Sequence, residues 1–236
     1  MKHATPARSP NRLLSVLAPR DFKRLRKYLE PVSLSLGQVL HEPGKPVRYV
    51  FFPYEGVVSL LSLVSPHQVA EVGMIGNEGV VGVSAAFGAG GSNLRALVQG
   101  GGHAMRMPAS RLRKECLTNA LWNREMLRFS HVLLVQAAQT AVCNRFHRVQ
   151  ARLARWLLVT RDRLNSNHFD LTHDLLSKML GVRRVGVTVA AGALEKRGLI
   201  AYSRGNIRIV NARALEHAAC DCYKVVRAAL LKGNGN

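Results

Sequence analysis

The stretch LTHDLLSKMLGVRRVGVTVAAGALEKRGLI, residues 171–200, constrains the fold more than any other part of the 236-residue chain. Thr172 is placed to cap a helix, with Asp174 in the first turn where the helix dipole favours an anion. Leu175, Leu176 and Met179 share one side, and Gly181 offers the left-handed backbone that stops a helix. A second helix starts near Arg183 or Arg184, with Val187, Ala190 or Ala191, and Leu194 facing inward and Gly198 closing it. Two short helices around a tight glycine turn predict a helix-turn-helix. Two short strands, Leu199–Tyr202 and Ile207–Val210, follow around the turn residues Ser203-Arg204-Gly205-Asn206, which predicts a hairpin wing.

The outward residues of the second helix are then Arg184, Val185, Thr188 and Val189, with Arg183 beside them. Arg184 has the forked donors that suit a guanine edge in a major groove, and the two valines suit thymine methyl groups. On the wing, Arg204 and Arg208 have the reach for phosphates, with Asn206 between them. Charge favours such a partner: 34 Lys and Arg against 14 Asp and Glu give a net charge of +20. Residues 145–236 hold 17 basic and 6 acidic residues, against 17 and 8 in the longer segment 1–144. The half that carries the helix-turn-helix is therefore the more densely basic, which points to a polyanion such as duplex DNA.

The remaining chain has a different texture. Residues 13–29 carry a short helical pattern that restarts at Pro19-Arg20-Asp21. From Val32 to Met107, short Val- and Leu-rich runs alternate with Gly and Pro, predicting an all-β domain, either sandwich or barrel. Ala109–Leu117 reads as a short helix and residues 121–144 as a long one. The long helix has Met126, Phe129, Leu133, Gln136, Thr140 and Cys143 at alternating steps of three and four. That stripe must be covered, either by the chain's own β domain or, the favoured expectation, by a second copy in a symmetric dimer. A further helix from Phe146 to Leu164 has one apolar face and one bearing Arg148, Arg152, Arg155 and Arg163.

The order of β domain, long helix and winged helix-turn-helix resembles the Crp/Fnr superfamily of bacterial transcription regulators, over residues 13–210. Its most specific piece is L-T-x-x-x-L-S-x-x-L-G-V-x-R-x-x-V followed by L-E-x-x-G-L-I. The resemblance implies an α+β fold: a double-stranded β-helix of jelly-roll type as sensor, a dimerisation helix, and a C-terminal winged helix-turn-helix. Its expected boundaries are a tail at 1–12, the sensor at 13–120, the dimerisation helix at 121–145 and the DNA-binding domain at 146–236. It assigns base reading to Arg184 and backbone contact to His173, with the capping Thr172 counted among the DNA-binding residues. It also implies a homodimer on a pseudo-palindromic site, contact with RNA polymerase, and a cytoplasmic protein without enzymatic activity. The usual Ser-Arg-Glu-Thr-Val opening of the recognition helix is here Arg183-Arg184-Val185-Gly186-Val187, so an operator sequence does not transfer.

Cyclic-nucleotide sensors of this family hold ribose and phosphate with Gly-Glu and a following Arg-Ser/Thr-Ala. The counterparts here are Gly76, Glu78, Arg95 and Ala96, with a longer Gly-rich insert between them and no Ser/Thr in place. Cyclic nucleotide is accordingly disfavoured and no cofactor is expected. No cysteine precedes Cys116, which excludes an N-terminal iron-sulfur cluster, and Cys220-x-Cys222 reads as a casual thiol pair. His41, His67 and His103 lack a clustered ligand pattern, so no metal is expected. No apolar run approaches the ~18 residues of a membrane span. No apolar core follows the basic first ten residues, so they read as a loose tail rather than a secretory signal. The competing readings are a β-roll enzyme or metal-binding jelly roll with an accessory basic domain, and a nucleic-acid-binding protein without sequence choice.

Overall fold

The computed structural model describes residues 11–65, 68–203 and 205–232. The chain divides into two compact units. One holds the described residues up to Leu60 together with Met74–Leu133; the other holds Leu61–Gly73 and Leu134–Leu231.

The strands of the N-terminal half are antiparallel, and those that contain Leu61–Gly73 run on into the second unit. Helices α1 (Arg12–Ser15) and α2 (Pro19–Arg26) precede β1 (Glu30–Leu34), β2 (Val39–His41), β3 (Tyr49–Pro53), β4 (Val57–Ser65), β5 (Gln68–Ile75), β6 (Arg95–Gly100) and β7 (Gly102–Pro108). They form a three-stranded sheet, β1-β7-β3, and a four-stranded sheet, β2-β6-β4-β5. Val50 and Phe52 of β3, Val98 of β6 and Met107 of β7 are fully buried among the core side chains, as the sequence-predicted β region requires. Asn11 does not belong to a loose tail. Its Oδ1 accepts the N–H of Leu14 at 3.2 Å, and its Nδ2 donates to the carbonyls of Pro53 at 2.7 Å and Gly79 at 2.9 Å. Of the tail expected at 1–12, residues 1–10 lie outside the described residues.

Helix α3 (Ala109–Thr118) leads into α4 (Ala120–Phe146), the long helix. Its Met126, 0% exposed, and Phe129, 4% exposed, belong to the core of the first unit, with Leu133 packed against it. Gln136 and Thr140 are buried as well. The stripe assigned to dimerisation is thus turned inward, and apolar side chains with no exposed surface have nothing left to bury against a second copy. The face that α4 does expose carries Leu127, His131, Leu134, Ala138, Ala141 and Arg145, again at alternating steps of four and three.

The second unit contains α5 (Val149–Leu164), β8 (His168–Asp170), α6 (His173–Leu180), α7 (Arg184–Lys196), β9 (Ile200–Ser203), β10 (Asn206–Ile209), α8 (Ala212–Ala218) and α9 (Cys222–Lys232). Its core is Leu153, Trp156 and Leu157 of α5 against Leu176, Val187, Leu194, Ile207 and Leu215. The wing is a three-stranded sheet, β8-β10-β9, rather than a two-stranded hairpin. Arg152, Arg155 and Arg163 of α5 are buried instead of forming a solvated basic face. Arg152 donates from Nη2 to the carbonyl of Leu180, the last residue of α6, and so ties α5 to the helix-turn-helix.

Candidate nucleic-acid interface

Helices α6 and α7 assemble as the sequence predicts. The Thr172 hydroxyl caps α6 by accepting the N–H of Leu175 at 3.2 Å, and Gly181 ends it at φ +61°. Val187, Ala190, Ala191 and Leu194 are all buried, which fixes the rotation of α7 and turns the opposite side outward. Arg183, Arg184 and Thr188 stand on that side with Val185 and Val189, which are 65% and 68% exposed. Large exposed valines on a rigid helix, flanked by arginines, form a surface that suits base edges better than bulk water.

His173 joins two elements of this domain. Its Nδ1 lies 3.0 Å from the Thr188 hydroxyl of α7, and that hydroxyl donates to the Arg184 carbonyl at 3.2 Å. The same imidazole stacks on Tyr202 of β9, with ring centroids 4.2 Å apart and 17° between planes. One half-buried ring at the start of α6 therefore braces both the exposed helix and the wing. Burial, followed by the Arg184 charge, lowers its pKa from the ordinary histidine value and so favours the neutral ring. Glu195 reinforces the brace by accepting the Tyr202 N–H at 2.9 Å.

On the wing, Arg208 and Asn206 are exposed, and Asn206 Nδ2 donates to Asp170 of β8 at 3.0 Å. Arg204 lies outside the described residues. The proposed effector residues sit in the first unit. Ala96 is buried, Arg95 Nε donates to Glu42 at 2.9 Å, and the buried Glu78 carboxylate accepts the Gly76 N–H at 3.1 Å. Gly79 beside them has no room for a side chain, because a Cβ there would run into the Phe129 ring. His41 Nε2 donates to the Tyr49 carbonyl at 2.8 Å, whereas His103 pairs with Glu55 at 2.7 Å, and His67 lies outside the described residues.

Sequence reasoning missed one cluster. Cys143, His147, Cys220 and Cys222 bring their ligand atoms within 4.8 Å of one another. A hydrogen bond from Cys220 draws the Cys143 thiol well below the ordinary thiol range, to about 5, against its burial and with help from the Arg155 charge. The same bond pushes Cys220 up. Neither Cys143–His147 nor Cys220–Cys222 alone announces four ligands, so spacing gives no signal across the 77 positions that separate Cys143 from Cys220.

Along the chain, a winged helix-turn-helix follows an antiparallel β domain and a long helix. Residues 151–218 match the model of the Crp-like helix-turn-helix domain. Among solved structures, FixK2 from Bradyrhizobium japonicum is 18% identical, with a TM-score of 0.69 over 81% of this chain and 98% of that one. A Crp/Fnr family transcriptional regulator from Thermus thermophilus is 22% identical, with a TM-score of 0.64 over 80% and 98%. The c-di-GMP-responsive global regulator CLP of Xanthomonas campestris is 15% identical, with a TM-score of 0.65 over 81% and 99%. No curated protein matches the sequence. The chain thus has the fold of the Crp/Fnr transcription regulators, and residues 151–218 form a Crp-like helix-turn-helix domain. No described helix is long and apolar enough to cross a membrane.

Proposed function

We propose that the protein binds specific duplex sequences as a homodimer and regulates transcription from them. The observation that carries this reading is the outward face of α7, where Arg183, Arg184, Val185, Thr188 and Val189 are exposed together on a helix held by a buried inner face. In this reading Arg184 reads a guanine edge, and Val185 and Val189 meet thymine methyls. Thr172 and the wing residues Asn206 and Arg208 lie along the phosphates. His173 acts mainly as a positioning residue, because its ring is already engaged with Thr188 and Tyr202.

The second copy docks on the exposed α4 seam of Leu127, Leu134 and Ala138, not on Met126 and Phe129. Twofold symmetry then places two α7 helices in successive major grooves, with half-sites about one helical turn apart. Contact with RNA polymerase at such a site, and a cytoplasmic setting without enzymatic turnover, belong to the same reading. A cyclic nucleotide does not, since Arg95 is paired with Glu42 and Glu78 is turned to backbone inside the β domain. Selection of bound sequences from random duplexes by the full chain, followed by footprinting, tests the proposal. It expects an inverted repeat with two protected major-groove faces. Recovery of sequences with no common half-site would refute specific reading and leave charge-driven binding alone.

A further inference from the structure

Four side chains that play no part in DNA reading meet at the end of the long helix. Cys143 and His147 stand one helical turn apart, the His147 N–H donating to the Cys143 carbonyl at 3.1 Å. Cys220 lies between α8 and α9, and Cys222 opens α9, where a helix N-terminus favours a thiolate. Cys143 Sγ and Cys220 Sγ are 3.5 Å apart, and so are Cys222 Sγ and His147 Nδ1. We propose that Cys143, His147, Cys220 and Cys222 form a zinc(II) site that fastens α9 to the end of α4.

The two 3.5 Å contacts lie close to the edges that ion needs, and all four ligand atoms lie within 4.8 Å of one another. With Zn–S near 2.3 Å and Zn–N near 2.0 Å, a tetrahedral site has edges of about 3.8 Å between sulfurs and about 3.5 Å between sulfur and nitrogen. Three thiolates and an imidazole are a soft, tetrahedral donor set, which selects zinc over magnesium or calcium. Four protein ligands leave no open position, so the site is structural rather than catalytic. Gln139 Nε2 donates to Cys222 Sγ at 3.1 Å, supplying the outer hydrogen bond that holds a metal-bound thiolate in place.

Charge supplies an independent reason. Arg152 and Arg155 are buried, neither meets a carboxylate among the described residues, and the Nε of each has no hydrogen-bond partner there. Two buried guanidiniums with no carboxylate beside them are costly. With zinc bound, any thiol still protonated has released its proton to solvent, and three thiolates, a neutral imidazole and Zn²⁺ leave one net negative charge for those arginines to face. The site is independent of how α7 contacts DNA.

The test uses the full chain purified anaerobically with reductant. Its zinc content is measured, and the apo protein is titrated with Co(II) and with Zn(II) against a chromophoric chelator. One ion per chain is expected, with the visible spectrum of tetrahedral thiolate-bound cobalt. Cys222→Ser and His147→Gln should lose the ion to equimolar chelator, whereas Cys116→Ala, whose thiol lies in the other unit, should keep it. Gln139→Leu should bind about tenfold more weakly. Failure of the wild-type chain to compete for either ion overturns the site whether or not any variant folds. So does a Cys143–Cys220 disulfide that persists in reductant, or retention of the ion by both ligand variants.

Discussion

Replacing Leu134 with Glu separates the two faces of α4. Leu134 is 66% exposed and central to the outward seam. Fully burying a leucine is worth roughly 1.5–3 kcal/mol, so its exposed part offers about 1–2 kcal/mol per copy. Twofold symmetry counts the residue twice, giving about 2–4 kcal/mol, which corresponds to a dimer dissociation constant weakened roughly 30- to 900-fold. Two carboxylates brought together near the axis add to that loss. Sedimentation across a protein dilution series reads it directly, and Leu134→Glu should sediment as monomer where the wild type is dimeric, with its melting temperature nearly retained. Phe129→Leu is the opposite case: Phe129 lies in the core of the first unit, so the change should lower stability by about 1–2 kcal/mol and leave self-association intact. A Leu134→Glu protein that associates as tightly as wild type, or a Phe129→Leu protein that dissociates while folded, would show that the seam is assigned to the wrong face.

Trp156→Phe removes the indole N–H that donates to the buried Glu71 carboxylate at 3.0 Å. A hydrogen bond to a charged group is worth about 1.5–3 kcal/mol, and urea midpoints should fall accordingly; an unchanged midpoint refutes the contact. Gly79→Ala forces a methyl against the Phe129 ring and should cost about 1–3 kcal/mol in the same assay. The His41 pKa is lowered chiefly by burial, so the unfolded chain takes up this proton more readily than the folded one. Its stabilising share is present above pH 6.5 and is lost as pH falls through that value towards the folded pKa. The drop in melting temperature between about pH 7.5 and 5.5 should be smaller in His41→Gln, and equal drops would exclude this residue as the source.

The helix-turn-helix was legible because each of its decisions is local. A capping threonine, two left-handed glycines and four inward positions lie within 27 residues, from Thr172 to Gly198. The β domain was legible as a class, though its strand order depends on pairings that no single run encodes. The long helix misled because it is apolar on two sides: Met126 and Phe129 on one, Leu127 and Leu134 on the other, each at the same spacing. Periodicity finds such stripes but cannot say which one the chain's own core takes. Strand β8 has three residues, too few to alternate, and it exists because β10 presents a free edge for it. The arginines of α5 looked like a solvated face, yet Arg152 reaches the carbonyl that ends α6. The Cys/His cluster was hidden because its halves come from distant segments and only the folded chain brings them together.

In the proposed function the outward face of α7 reads base sequence. The most direct test is the affinity of wild type and Arg184→Ala for the selected duplex and for single-base variants of it, measured across a salt series. The substitution should weaken the selected site by about 1–3 kcal/mol, roughly 5- to 150-fold, and abolish the preference at one base pair of each half-site. Binding to unrelated DNA, set by phosphate contacts, should change little and keep its steep salt dependence. Equal affinity and an unchanged base preference in Arg184→Ala would contradict the assignment of α7 as the reading helix.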